Sequence, residues 1–314
     1  MRGIMGDKIL IVSHDAGGAE IISAWVRKHA EDEYFFVLEG PAVNIFSRKI
    51  KNLKNNSSNT LPSLLTLCDW VLTGTSWASD LEKEVVDQAV KNKIFVVSYL
   101  DHWVNYPERF IYKQQTILPS EIWVGDVEAM KIAMMHFPKE KIVLVPNQYL
   151  LDIREKVAKT PIIERDDQSV RILYVCEPIA AHATKKYGNE KYFGHTEYEL
   201  LSYFLNCLHA NKNFLKNVGS VKIRCHPSEE KSKYNGILAD YKDTLVAVSN
   251  NEDLLSDLMQ ADWVVGISSM ALVVALFIGK KVFTCIPEEN KQPLLPFAGI
   301  EKFYQGVCDE KCAE

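Results

Sequence analysis

Lys8-Ile9-Leu10-Ile11-Val12-Ser13-His14-Asp15-Ala16-Gly17-Gly18-Ala19-Glu20 is the stretch that decides the fold. Its first six residues form a short apolar run, the length of one strand buried on both faces. The run breaks at His14-Asp15, two glycines follow, and apolar residues then return at helical spacing over residues 19–29. A buried strand, a polar turn and a helix in that order open a parallel βαβ unit.

Outward from this stretch the alternation continues. Residues 34–38, 69–73, 94–100, 121–124 and 141–145 read as strands, and 79–91, 128–137 and 148–158 as helices. The polar stretch 49–61 reads as a mobile loop. The pattern pauses at 159–169, where Pro161 and the charged cluster at 164–167 mark a linker. It then restarts with strands at 171–176, 221–225, 244–248, 262–267 and 281–286, and helices at 196–210, 251–260 and 270–278. The expectation is an α/β chain of two Rossmann-like, doubly wound domains, 1–158 and 159–314. The C-terminal tail is placed to return to the first domain. In such sheets ligands bind beyond the carboxyl ends of the strands, so two facing edges make one central cleft.

Size and composition agree with this picture. A chain of 314 residues fits two domains, and 47% hydrophobic with 25% charged residues is ordinary globular composition. The net charge of -5 leaves no electrostatic footprint for nucleic acid. One basic run, Arg48, Lys49, Lys51 and Lys54, reads either as a solvated loop or as a contact for anionic lipid or an anionic acceptor glycan. The longest apolar stretch, 270–278, is far short of the ~20 residues that span a bilayer. Residues 1–7 are too short and polar for a signal peptide. A cytoplasmic protein is expected, at the inner face of the membrane if the basic run engages lipid. Seven cysteines, an odd number, point the same way. Cys176, Cys225 and Cys285 lie in strand-like runs and Cys207 in a helix-like one, as small buried hydrophobes of a reducing compartment. Cys308 and Cys312 have the wrong spacing, and no upstream pair, for a metal site.

Four polar segments follow strands and carry the chemistry. In the first, Gly17 and Gly18 let backbone approach a ligand at a helix start, and His14 with Asp15 forms an ionisable pair where a plain turn needs only a cap. It is not a GxGxxG dinucleotide fingerprint. The second, Asp101-His102-Trp103-Val104-Asn105-Tyr106-Pro107-Glu108-Arg109-Phe110, mixes charged groups with rings. That suits sugar binding, with Trp103, Asn105, Tyr106 and Arg109 on the acceptor or sugar; the plain alternative is an aromatic plug of the core. The third is Arg224-Cys225-His226-Pro227-Ser228-Glu229, where a histidine can donate to a phosphate oxygen. The fourth is Gly266-Ile267-Ser268-Ser269-Met270, two hydroxyls at a helix start, either an anion site or an N-cap. Together with Glu177-Pro178 after the second domain's first strand, the last two can surround one nucleotide.

These second-half motifs resemble those of bacterial GT-B transferases of CMP-activated acidic sugars: the sialyltransferases, the polysialyltransferases and the capsule Kdo transferases. His226-Pro227 is similar to the family's HP motif, and Ser268-Ser269 to its serine pair. Cys176-Glu177-Pro178-Ile179 resembles the loop that borders the cytidine. The resemblance implies that His226 contacts the donor phosphate and that Ser268 and Ser269 bind it at the helix start beside Gly266. It implies a catalytic base in the first half, where Asp15 is preferred and Asp101 second, with His14 and His102 as histidine alternatives. It also implies metal-independent transfer of a nonulosonic acid or Kdo from a CMP-sugar donor, with no further cofactor, to a glycan or lipid-linked acceptor. Three other readings remain: a UDP-sugar epimerase or hydrolase of the same architecture, a polyol-phosphate transferase, and a non-enzymatic nucleotide-sugar-binding partner.

Overall fold

The computed structural model describes residues 6–76, 79–161, 168–241, 246–251, 253–287 and 294–303. The chain divides into two units, Met1–Asp152 and Ile153–Glu314. The division falls inside a helix, Gln148–Lys159, rather than after it.

Unit 1 grows outward from the opening strand. Its strands are β1 (Lys8–Ser13), β2 (Glu33–Leu38), β3 (Trp70–Thr73), β4 (Phe95–Leu100), a small hairpin β5 (Ile111–Tyr112) and β6 (Gln115–Thr116), β7 (Glu121–Val124) and β8 (Ile142–Leu144). The helices are α1 (Ala16–Lys28), α2 (Pro41–Lys49), α3 (Leu61–Leu67), α4 (Leu81–Lys91), α5 (Val127–His136) and α6 (Gln148–Lys159). The main sheet runs β2-β1-β3-β4-β7-β8 and all its pairings are parallel. Ile9 through Val12 are fully buried because β1 has a neighbour on each side, Ile9 lying level with both Tyr34 and Trp70. One face of the sheet is covered by Leu61, Leu64 and Leu65 of α3 and by Val85, Val86 and Ala89 of α4. Burying each Leu or Val contributes about 1.5–3 kcal/mol.

Unit 2 repeats the plan with another strand order. Its strands are β9 (Val170–Val175), β10 (Val218–Arg224), β11 (Val246–Val248), β12 (Trp263–Gly266), β13 (Lys281–Thr284) and β14 (Ile300–Lys302). Its helices are α7 (Ile179–Tyr187), α8 (Glu197–Ala210), α9 (Lys212–Leu215), α10 (Asn235–Leu238), α11 (Leu254–Gln260) and α12 (Met270–Phe277). The parallel sheet runs β11-β10-β9-β12-β13-β14, the doubly wound 3-2-1-4-5-6 order of Rossmann-like domains. Tyr174, Phe204, Phe283 and Phe303 build its core. A capping box starts α8: Thr196 Oγ1 accepts the Glu199 N–H and the Glu199 carboxylate accepts the Thr196 N–H.

Two expectations about elements change. The stretch 49–61, expected as a mobile loop, is tied to the sheet at Asn55 and Asn56. Asn55 pairs with β2 through its side chain, Oδ1 accepting the Leu38 N–H at 2.8 Å and Nδ2 donating to Leu38 O at 2.9 Å. Asn56 Nδ2 donates to Phe36 O, so two asparagines satisfy the edge of the sheet in place of a neighbouring strand. In the basic run beside it, one of the four cations is engaged within the unit. Lys49 pairs with Glu20 and lies 5.1 Å from the ring centre of Tyr149, while Arg48, Lys51 and Lys54 are exposed. Cys176 and Cys285 are buried, as expected of small hydrophobes, whereas Cys308, Cys312 and the tail lie outside the described residues. Among the described residues no helix is long and apolar enough to cross a membrane.

Candidate active site

In unit 1 the winding direction reverses between β1 and β3, the place where doubly wound sheets hold ligands. β1 delivers His14 and Asp15 there. Asp15 occupies the N-cap position of α1, but its side chain caps nothing; Oδ1 lies 2.8 Å from His14 Nδ1. The imidazole rests against Gly40, whose φ of +53° and closeness to the ring exclude a side chain: a Cβ there would stand 2.6 Å from His14 Nε2. α4 sends Glu82 back to the same edge, and its Oε1 accepts the His14 N–H at 2.8 Å. Burial, followed by the negative charge of Asp15, pushes the Glu82 carboxyl up to about 8.

β4 ends at this edge with Asp101. Its carboxylate lies against Gly17 in the first turn of α1, pairs with Arg109 Nη1 at 2.9 Å and accepts from Thr75 Oγ1 at 3.3 Å. Burial raises its pKa, outweighing the pull of Arg109 in the other direction. Arg109 is itself buried, donating also to Thr75 O at 2.7 Å and Val104 O at 3.2 Å. Asp101 and Arg109 therefore act as a brace tying β3, β4 and the following turn together. Asp15 is the carboxylate of the edge whose side chain remains partly exposed and turned toward an imidazole. Among the rings of this segment, Trp103 and Tyr106 are packed inside unit 1, the Trp103 indole donating to Asp126 Oδ2 at 2.8 Å. That is the aromatic plug rather than an open sugar platform. His102 stands beside Trp103, partly exposed, and Asn105 turns the chain with φ +58°.

In unit 2 the reversal lies between β9 and β12, and β10 lies beside β9. All three of the expected nucleotide segments end strands at this place. His226 is held from behind: Glu229 Oε2 accepts its N–H at 3.0 Å, and Glu229 is held in turn by Lys233 Nζ at 2.5 Å and the Tyr234 hydroxyl. Ser228 N–H and its hydroxyl both reach His226 Nδ1, at 3.2 and 2.7 Å, which puts the ring proton on Nε2. Burial lowers the His226 pKa, so the ring is a neutral Nε2–H donor. Pro227 stiffens the exposed turn. Arg224 anchors the end of β10 to the buried Asp257 at 2.6 Å.

The start of α12 departs from expectation. Ser268 N–H donates to Glu177 Oε1 at 2.6 Å and Ser268 Oγ to Glu177 Oε2 at 3.4 Å. The position foreseen for a phosphate is thus taken by the carboxylate of Glu177, next to Pro178. Ser269 stands at the N-cap without a capping bond from its side chain. Burial pushes the Glu177 carboxyl up to about 7 against the pull of the Ser268 and Ser269 donors. Gly266 is needed for close packing, since a Cβ there would meet Val175 Cγ2 at 2.6 Å. Gly18 faces Gly74, but a Cβ there would stand 3.4 Å from Gly74 Cα, an ordinary contact. Among the described residues no group of three or more His, Cys, Asp or Glu side chains is arranged to hold a metal ion.

Sequence reasoning passed over Glu82 and Thr75, and quoted Glu229 in the third segment without giving it a role. Thr75 stands two residues beyond a strand, in Thr73-Gly74-Thr75-Ser76, and that position was the available signal. Glu82 had none, being 68 residues from the amide it holds.

No family model matches the chain, and no curated protein matches it in sequence. Solved structures do. The UDP-GlcNAc 2-epimerase from Neisseria meningitidis bound to UDP-GlcNAc is similar with a TM-score of 0.59 at 14% identity, covering 88% of this chain and 82% of that one. MnaA from S. aureus, solved with UDP, is similar with a TM-score of 0.63 at 11% identity over 98% of this chain and 88% of that one. OtsA without ligand reaches 0.51 at 10% identity over 89% and 84%. At such identities the likeness is one of fold: this chain is an α/β protein of the GT-B class, built of two Rossmann-like units.

Proposed function

We propose that this chain is a nucleotide-sugar enzyme that takes a UDP-sugar, as an epimerase or hydrolase, in place of the CMP-dependent transferase its motifs suggest. Unit 2 carries the groups suited to a nucleotide, and unit 1 carries carboxylates suited to acid–base chemistry. One observation carries this reading: a helix start and a titratable carboxyl meet where the unit 2 sheet reverses its winding, and an imidazole Nε2–H donor ends the neighbouring strand β10. Support for UDP over CMP comes from the solved structures of like fold, which hold UDP-GlcNAc and UDP.

The chemistry follows from the charges. Breaking the bond between the anomeric carbon and the phosphate oxygen leaves the electron pair on the β-phosphate. His226 Nε2–H is the donor placed to stabilise it. In hydrolysis, a carboxylate takes the proton of the attacking water, and Asp15 is the partly exposed carboxylate of the unit 1 edge. In epimerisation, a carboxylate takes the proton of the neighbouring carbon as the C–O bond breaks; a proton then returns from the other face while the phosphate oxygen, or water, adds back to the anomeric carbon. His14, bonded to Asp15, orients that carboxylate.

The test is a thermal-shift series with UDP, CMP, GDP and TDP, followed by NMR of UDP-sugars incubated with the chain and no acceptor. A nucleotide at about 100 times its Kd raises stability by about 2.7 kcal/mol. Selective stabilisation by UDP, with free or epimerised sugar as product, is expected. Selective stabilisation by CMP sinks this reading and returns weight to acidic-sugar transfer, for which His226-Pro227 and Ser268-Ser269 are the motifs. Products formed only with a polyol-phosphate donor move it to that transfer instead.

A further inference from the structure

Each unit ends a strand in a histidine whose amide donates to a glutamate: His14 to Glu82 Oε1 at 2.8 Å, His226 to Glu229 Oε2 at 3.0 Å. The two glutamates stand in opposite surroundings. Glu229 has Lys233 Nζ at 2.5 Å and the Tyr234 hydroxyl at 3.1 and 3.2 Å from its two oxygens. Glu82 is 2% exposed, and its Oε2 has no hydrogen-bond partner among the described residues. Nor does the fully buried Ser13 hydroxyl, which borders Gly74 together with Glu82.

The charged groups facing Glu82 are of its own sign. Asp15 comes from the start of α1 and Asp101 from the end of β4, the latter already paired with Arg109 from the turn 107–110. His14, at the end of β1, turns its ring to Asp15. An ionised carboxyl here would lose its hydration for backbone N–H groups alone, those of His14 and of Glu82 itself, beside two like charges. The uncharged acid keeps the His14 N–H bond and avoids the cost.

We propose that Glu82 is the positioning residue of the unit 1 edge: held as an uncharged acid behind β1, it fixes the His14 amide, and through it the His14–Asp15 pair, without adding a third negative charge. The consequence for turnover rests on the acid–base role given to Asp15 above; the consequences for stability and amide exchange do not. Burial, then Asp15 and Asp101, carry the Glu82 carboxyl from 4.5 to about 8. The folded chain therefore binds this proton more tightly than the unfolded chain. The stability it contributes is present below 4.5 and is lost as pH rises to about 8.

The experiment compares the full chain with its Glu82→Gln and Glu82→Ala variants. Thermal unfolding is followed from about pH 5 to about pH 9, together with hydrogen exchange at the His14 amide. Glutamine keeps the acceptor and carries no charge, so Tm of Glu82→Gln minus Tm of wild type is expected to grow with pH across this window. The His14 amide is expected to stay protected in Glu82→Gln and to exchange at least ~tenfold faster in Glu82→Ala. Should the alanine variant not fold, Glu82→Met takes its place. With a UDP-sugar, Glu82→Ala lowers kcat ~tenfold at unchanged KM and Glu82→Gln restores it. A glutamine variant that loses ground to wild type as pH rises overturns the uncharged state. An alanine variant with a fully protected His14 amide overturns the positioning role. Wild type that turns over no UDP-sugar fails the functional reading alone, and the stability and exchange measurements still decide the role of Glu82.

Discussion

At the scale of single residues, the informative contrast is between Asp15 and Asp101. Both follow strands of unit 1, both are carboxylates beside a histidine in sequence, and both were open as the base. The fold separates them. Asp101 is buried and tied to Arg109 and Thr75, so its charge is spent on holding the edge together. Asp15 leaves the helix it precedes uncapped by its side chain and turns to His14, with part of its surface open. Asp15→Asn is expected to lower kcat on a UDP-sugar on the order of 100-fold with KM little changed, the signature of a proton-transfer group. Steady-state kinetics decide it, and an equal loss in affinity would move Asp15 to a binding role. The ion pair that distinguishes the two carboxylates was not readable beforehand. An Arg eight residues beyond Asp101 marks no contact in a loop; only the turn at 107–110 brings them to 2.9 Å.

At the scale of elements, the junction of α12 with the end of β9 matters most. Helix starts attract anions because their first N–H groups are unpaired within the helix. Here the chain supplies the anion itself, through Glu177. A nucleotide phosphate arriving at Ser268 meets that carboxylate. Its charge disappears as pH falls through about 7. UDP affinity is therefore expected to rise between about pH 8 and about pH 6.5. Glu177→Gln is expected to bind UDP several-fold more tightly at the upper end and to flatten that dependence. Calorimetric titration at several pH values measures both, and weaker binding by the glutamine variant would give Glu177 a direct ligand contact instead. Of this junction, 266–270 was legible as a strand-to-helix turn, whereas Glu177-Pro178 read as the start of a polar loop and helix α7 was missed. Their mutual bond was not legible, since Ser268 and Glu177 lie 91 residues apart. The elements themselves were legible where apolar residues repeat with a clear period, as in β1, β4 and α8. α2 and α3 were missed because Asn, Ser and Lys dilute the period between them, and the asparagines that replace a strand at the edge of β2 leave no periodic trace.

At the scale of the molecule, two units of the same plan differ in strand order, β2-β1-β3-β4-β7-β8 against β11-β10-β9-β12-β13-β14. Each order sets where its own sheet reverses, and so which loops meet. If unit 2 is the nucleotide binder, UDP is expected to slow hydrogen exchange over residues 176–180, 224–229 and 266–271, the three segments at its reversal. Exchange followed by mass spectrometry with and without UDP tests this, and protection confined to unit 1 would reverse the assignment. Sequence alone determined the α/β class and the repeated doubly wound plan, because apolar period and strand-ending turns are local properties of the chain. It also singled out His14, Asp15, His226 and Ser268 as residues at strand ends. What those residues do was decided only by tertiary structure. Strand order and side-chain pairing over 68 or 91 residues set burial and charge, and these turn one carboxylate into a brace, another into an uncharged support and a third into the occupant of a helix start.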